Sequence, residues 1–127
     1  MNVFLSYKWE DKLYVNGLIG MLKNPNNQYR HIPLNERQDY RNKGRNAVKN
    51  YLKGLINECD AIICLVGENT HTSEWVSYEM EVGKSLNKKI LAVRIKGTKG
   101  GLPTLLRTWG IQEINWDSRL INNALNI

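Results

Sequence analysis

Long apolar runs are missing from this sequence. None approaches the ~20 consecutive residues a membrane-crossing helix requires, so no helical span is expected. The opening residues, MNVFLSYKWED, reach charge within a few positions and lack the apolar core of a signal peptide. They read as the start of a first strand, and the expectation is a cytoplasmic protein. Cysteine is scarce too, with Cys59 and Cys64 the 2 present. A disulfide between them would have to fold the chain back within the strand-like run DAIICLV. No accompanying His/Cys cluster offers a metal site, so both are expected as reduced thiols, Cys64 in the core.

What is present is the composition of an ordinary globular domain, 42% hydrophobic and 24% charged. A length of 127 residues suits a single domain, residues 1–127, with a core of its own. A net charge of +6 raises the question of nucleic acid. The basic residues are spread rather than clustered, from Arg30, Arg37 and Arg41 through Lys43, Arg45, Lys49 and Lys53 to Lys84, Lys88, Lys89, Lys96 and Lys99. A solvated basic surface is therefore preferred to a nucleic-acid face, and attraction of a small phosphate-bearing ligand is a third use of the charge.

Along the chain, Val3–Tyr7 reads as a buried strand and Asp11–Leu22 as a helix weakened by Gly17 and Gly20. Residues 24–44 are polar and without period, apart from a short strand near Arg30–Leu34. From Arg45, apolar Ala47, Val48, Tyr51, Leu52, Leu55 and Ile56 recur with the spacing of an amphipathic helix. DAIICLV (60–66) and KILAVRI (89–95) are continuous apolar runs, as in strands covered on both faces. Between them a helix is expected from Ser73 to Leu86, capped by Ser73 or Thr72. GTKGGLPT reads as a loop, IQEINW (111–116) as an edge strand and the tail as a short closing helix. Strands alternating with helices imply a parallel α/β sheet with helices on both faces. Ligands of such sheets bind beyond the carboxyl ends of the strands, which points to Ser6–Asp11 and Gly67–Ser73.

One residue conflicts with its helix. With ~100° per residue, Trp75, Val76, Tyr78, Met80, Val82, Gly83 and Leu86 fill one broad arc, and Glu79 falls near its middle. A carboxylate there is either solvated at the helix's N-terminal end or partly buried with a raised pKa. It serves either a function or a structural pairing with a buried cation or loop; perturbed carboxylates occur in both. Ser6, Tyr7, Trp75 and Asp39 are open to the same two readings, catalysis or ordinary packing and solvation.

Taken together these segments resemble TIR domains. VFLSYKWED is similar to the family's first box, RQDYRNKG to a diverged second box, and CLVGENTHTSEWVSYEMEVG to the region where Ser, Trp and a Glu four residues later open the third helix. The wording WVSYE, with LVGENT before and KKILAVRIKG after, is similar to the bacterial TIR-like branch that includes the signal-producing Thoeris anti-phage proteins. The resemblance implies a flavodoxin-like fold of about five strands and, in enzymatic members, cleavage of the nicotinamide–ribose bond of NAD. Glu79 matches the catalytic glutamate, Ser6 and Tyr7 match loop positions lining the nucleotide site, and Trp75 would wall the pocket. Asp39 belongs to the second-box loop, which in the family governs assembly and access. The implied partners are NAD as substrate, with no metal or separate cofactor, and a separate effector protein reached through a nucleotide product. A homo-oligomer is an expected state; a membrane or nucleic acid is not. No glycine-rich phosphate cradle is visible, so positive charge and loop amides would hold the pyrophosphate. The alternative is a non-catalytic TIR-like interaction module; a flavodoxin-like receiver fits less well, because Val66-Gly67 stand where a receiver has an aspartate.

Overall fold

The computed structural model describes residues 1–22, 27–30 and 44–126. Five strands, β1 (Asn2–Ser6), β2 (Gln28–Arg30), β3 (Ala61–Val66), β4 (Lys89–Arg94) and β5 (Glu113–Ile114), form one sheet in the order β2-β1-β3-β4-β5. Every neighbouring pair is parallel. This is the flavodoxin-like order, as the resemblance to TIR domains implied. Expected and observed strands differ at their ends: β1 stops at Ser6, and β5 pairs over two residues of the IQEINW run.

The helices among the described residues are α1 (Lys12–Leu22), α2 (Arg45–Asn57), α3 (Glu74–Ser85), α4 (Thr104–Thr108) and α5 (Ser118–Asn126). A 3-10 turn, Trp9–Asp11, leads into α1, and another, Thr70–Thr72, precedes α3. The short helix α4 lies in a segment the sequence leaves as loop: five residues with one fully buried side chain, Leu106, give too little period to recognise.

Strand β3 explains why both faces must be covered. All six of its residues, AIICLV, are buried, and alternate side chains enter different cores. Val3, Leu5, Ile63 and Val93 meet Val15, Leu18 and Leu22 of α1 and Ile121 and Leu125 of α5. Phe4, Ile62, Cys64 and Ala92 meet α2, α3 and α4 through Val48, Leu52, Val76, Met80 and Leu106. Helices α1 and α3, which follow the adjacent strands β1 and β3, therefore leave on opposite faces. The crevice between their leading loops is the switch point where ligands of this architecture bind.

Helix α3 is fixed at both ends and along its length. The Ser73 hydroxyl accepts the Val76 amide at 3.2 Å, so the N-cap is Ser73. At the other end Asn87 adopts a left-handed φ of 58°, and the Lys88 amide reaches the Gly83 carbonyl at 2.9 Å, closing a Schellman turn. Gly83 faces Ile62 so closely that a Cβ would overlap its Cδ1, which brings the helix down onto β3. Among the described residues no helix is long and apolar enough to cross a membrane.

Candidate functional site

Ser6 ends β1 and Cys64 lies beside it in β3, the two being register partners. Helix α3 crosses above them and lowers Glu79 onto the pair. The Ser6 hydroxyl donates to Glu79 Oε1 at 2.9 Å. Ser6, Cys64 and Glu79 are each 0% exposed. The helical wheel placed Glu79 within the apolar arc, and the structure gives that arc its meaning: the carboxylate enters the core with Val76, Met80 and Val82. Of the two environments open to it, enclosure is the one observed. A buried carboxylate needs hydrogen bonds to offset its lost hydration, and Ser6 supplies one. Burial pushes the Cys64 thiol far up, and the nearby Glu79 carboxylate adds to the shift. Cys64 is thus a neutral packing group in this cluster, not a nucleophile. Cys59 and Cys64 form no disulfide and both are buried.

Tyr7 goes elsewhere. One residue beyond Ser6, it points to the opposite face and packs, fully buried, among Val3, Leu5 and Val15. The structure therefore brings Ser6 to Glu79 and does not bring Tyr7 there. Asp39 lies outside the described residues.

Trp75, one turn before Glu79, is partly buried and packs against the core that holds Val76 and Met80. It lines a groove of about 400 Å³ together with Lys49, His71, Thr72, Tyr78 and Glu81. That volume is within the range of small-molecule sites. The Trp75 and Tyr78 rings meet edge to face at 6.4 Å, and the Tyr78 hydroxyl donates to the Lys49 carbonyl at 3.0 Å, pinning α3 to α2. The Lys49 ammonium sits 5.1 Å above the Tyr78 ring. Glu79 is not among the residues lining this groove. The sequence offered a partial signal for Tyr78, three residues after Trp75 on one helix face. Lys49 gave none, because its approach depends on how α2 packs on α3.

A third feature joins the loops at the switch point. Asp11 is 7% exposed, and its carboxyl lies flat on Gly67: a Cβ there would fall 2.5 Å from Oδ2 and 2.8 Å from Oδ1. Burial and the neighbouring Glu10 raise the Asp11 pKa, while Thr70 and Lys8 oppose the shift. Further along the same two loops the Lys8 ammonium donates to the Thr72 hydroxyl at 2.9 Å and Asn69 donates to Glu10 at 3.3 Å. Among the described residues no group of three His, Cys, Asp or Glu side chains could hold a metal ion.

These features can be set beside known proteins. The TIR-like domain of the Thoeris protein ThsB, as a family, matches residues 4–100. Among solved structures the chain is similar to a CMP N-glycosidase, BcmB, from Clostridium botulinum, with a TM-score of 0.61 and 19% identity over 100% of both chains. It is also similar to the TIR domain of the Toll-related receptor TRR-2 from Hydra magnipapillata, with a TM-score of 0.65 and 14% identity over 98% of this chain and 94% of that one. At such identities the likeness is one of fold. No curated protein matches the sequence.

Proposed function

The chain belongs to the TIR-like domain family of the Thoeris protein ThsB, and from that premise we propose that it cleaves the nicotinamide–ribose bond of NAD, with Glu79 as the catalytic carboxylate. The observation that carries this reading is the Ser6–Glu79 hydrogen bond, 2.9 Å long and closed to solvent, where the ends of β1 and β3 meet α3. When the C1′–N bond breaks, its electron pair stays with the nicotinamide nitrogen and neutralises the pyridinium. The ribose is left as an oxocarbenium-like cation. A carboxylate preorganised by Ser6 in a low-dielectric site stabilises that charge as it develops. Water then adds to C1′ and loses a proton, giving ADP-ribose; capture by a nucleophile of the same molecule gives a cyclic product instead. Trp75, which lines the groove one helical turn before Glu79, would exclude water and favour ring closure.

The likeness to the CMP N-glycosidase BcmB supports the bond class, since both reactions break an N-glycosidic bond of a nucleotide. The product would act as a messenger to a separate effector in anti-phage defence. Because Glu79 is enclosed, substrate reaches it only after the covering segments move, which suits an enzyme that waits for a trigger or for assembly. The same enclosure favours a second reading, in which Glu79 is a structural tie and the chain is an interaction module.

Incubating the purified protein with NAD, alone and with phage-infected lysate, separates the two when nicotinamide and adenine-containing products are followed by chromatography. Turnover that is lost in a folded Glu79→Gln variant supports the enzyme. Unchanged turnover in that variant removes Glu79 from the mechanism. No nicotinamide under either condition favours the interaction module.

A further inference from the structure

We propose that Asp11 is a positioning residue, clamping the loop after β1 to the loop after β3 so that Ser6 stays seated against Glu79. The proposal rests on the reading of Ser6 and Glu79 as the reactive centre. Three contacts join the two loops at the switch point, in register with one another: Lys8 to Thr72, Glu10 to Asn69, and Asp11 onto Gly67. The first two are exposed and contribute little individually. The third is buried and admits no side chain at residue 67. Thr70 braces the same spot, its hydroxyl accepting the Gly67 amide at 2.8 Å and lying 3.2 Å from the Leu65 carbonyl.

The position of this clamp gives it leverage. Ser6 immediately precedes one clamped loop, and Ser73, the cap of the helix carrying Glu79, ends the other. Widening the gap between the loops would draw α3 from β1 and lengthen the Ser6–Glu79 contact. Burial and Glu10 disfavour the ionised Asp11, Thr70 and Lys8 favour it, and the carboxyl group lies against Gly67.

The test has one readout that needs no turnover. In a Cys59→Ser background the remaining thiol is Cys64, buried beside Ser6. Its labelling by a thiol reagent, measured over low urea concentrations, separates local opening, which is insensitive to urea, from global unfolding, which is not. Gly67→Ala and Asp11→Ala are expected to raise the urea-insensitive rate at least about tenfold, the effect of an overpacked or vacated contact. Asp11→Asn keeps the shape of the group and should stay within about threefold of the unmodified protein. In parallel, kcat for nicotinamide release should fall in the two alanine variants while KM holds, and should recover in Asp11→Asn. Unchanged labelling in both alanine variants overturns the clamp, as does labelling in Asp11→Asn as fast as in Asp11→Ala. Faster labelling with an unaltered kcat overturns the positioning role. Faster labelling in a protein that never releases nicotinamide leaves the clamp standing and removes the NAD reading instead.

Discussion

Removing the Ser6 hydroxyl should destabilise the fold through Glu79 and through little else. Ser6 is fully buried and its Oγ donates to Glu79 Oε1 at 2.9 Å. A hydrogen bond to a charged acceptor contributes about 1.5–3 kcal/mol, and a deprived buried acceptor bears most of that as lost solvation. Ser6→Ala is therefore expected to cost about 2 kcal/mol, a fall in Tm of roughly 6–10 °C for a chain this long. The attribution comes from a double-mutant cycle. Replacing Glu79 by Leu removes the acceptor, and in that background Ser6→Ala should be nearly neutral, giving a coupling of about 1.5–2 kcal/mol. Urea unfolding of the four proteins, with equal m-values, measures it. A coupling below about 0.5 kcal/mol would refute the reasoning, because Ser6 and Glu79 would then be adding as independent sites.

Three further outcomes follow from the same geometry. Gly100→Ala should lower stability by about 1–3 kcal/mol in urea titration, because a Cβ would overlap the backbone carbonyls of Gly67 and Glu68, which cannot swing aside as a side-chain tip could. The Cys64 thiol, whose pKa is raised in the fold above the ordinary 9.0, contributes stability that is present below that value and lost as pH rises past it. Unfolding free energy should accordingly fall by up to about 1.4 kcal/mol per pH unit above the unfolded thiol's pKa. Cys64→Ala should remove that part of the slope; a slope identical in the variant contradicts the assignment. Trp75→Ala should admit more water to the groove that Trp75 lines, so that chromatography of an active preparation shows a larger share of linear ADP-ribose among the products; a product ratio left as it was would count against Trp75 as a barrier to water.

How far the sequence carried these features depended on whether a residue's surroundings were local. Strands β3 and β4 were legible as continuous apolar runs, and helices α2 and α3 by the helical spacing of their apolar residues, each read within one segment. Glu79 was legible as an anomaly, since a charge at an apolar wheel position needs no partner to be noticed. Its partner was not deducible from periodicity: Ser6 is 73 positions away and reaches it through the register of β1 on β3. Tyr7 shows the same limit from the other side. It adjoins Ser6 in sequence, but the pleat sends it to the opposite core, and only the exact end of the strand decides which of the two faces α3. Asp11 was read as the start of a helix; that it rests on Gly67 depends on two loops meeting, which no local pattern encodes.

The alternation of Ser6 and Tyr7 has a consequence for how the chain finds its fold. Sliding β1 by one residue along β3 would exchange the two faces, turning Tyr7 towards α3 and Ser6 into the aliphatic core. Glu79 would then be enclosed without the Ser6 hydroxyl, and a phenol would crowd the space above Cys64. The mispaired sheet is thus penalised by the same two side chains that form the candidate site. The hydrogen bond acts as a proofreading contact, and a chain that assembles its sheet correctly has, by that step, also assembled its candidate site.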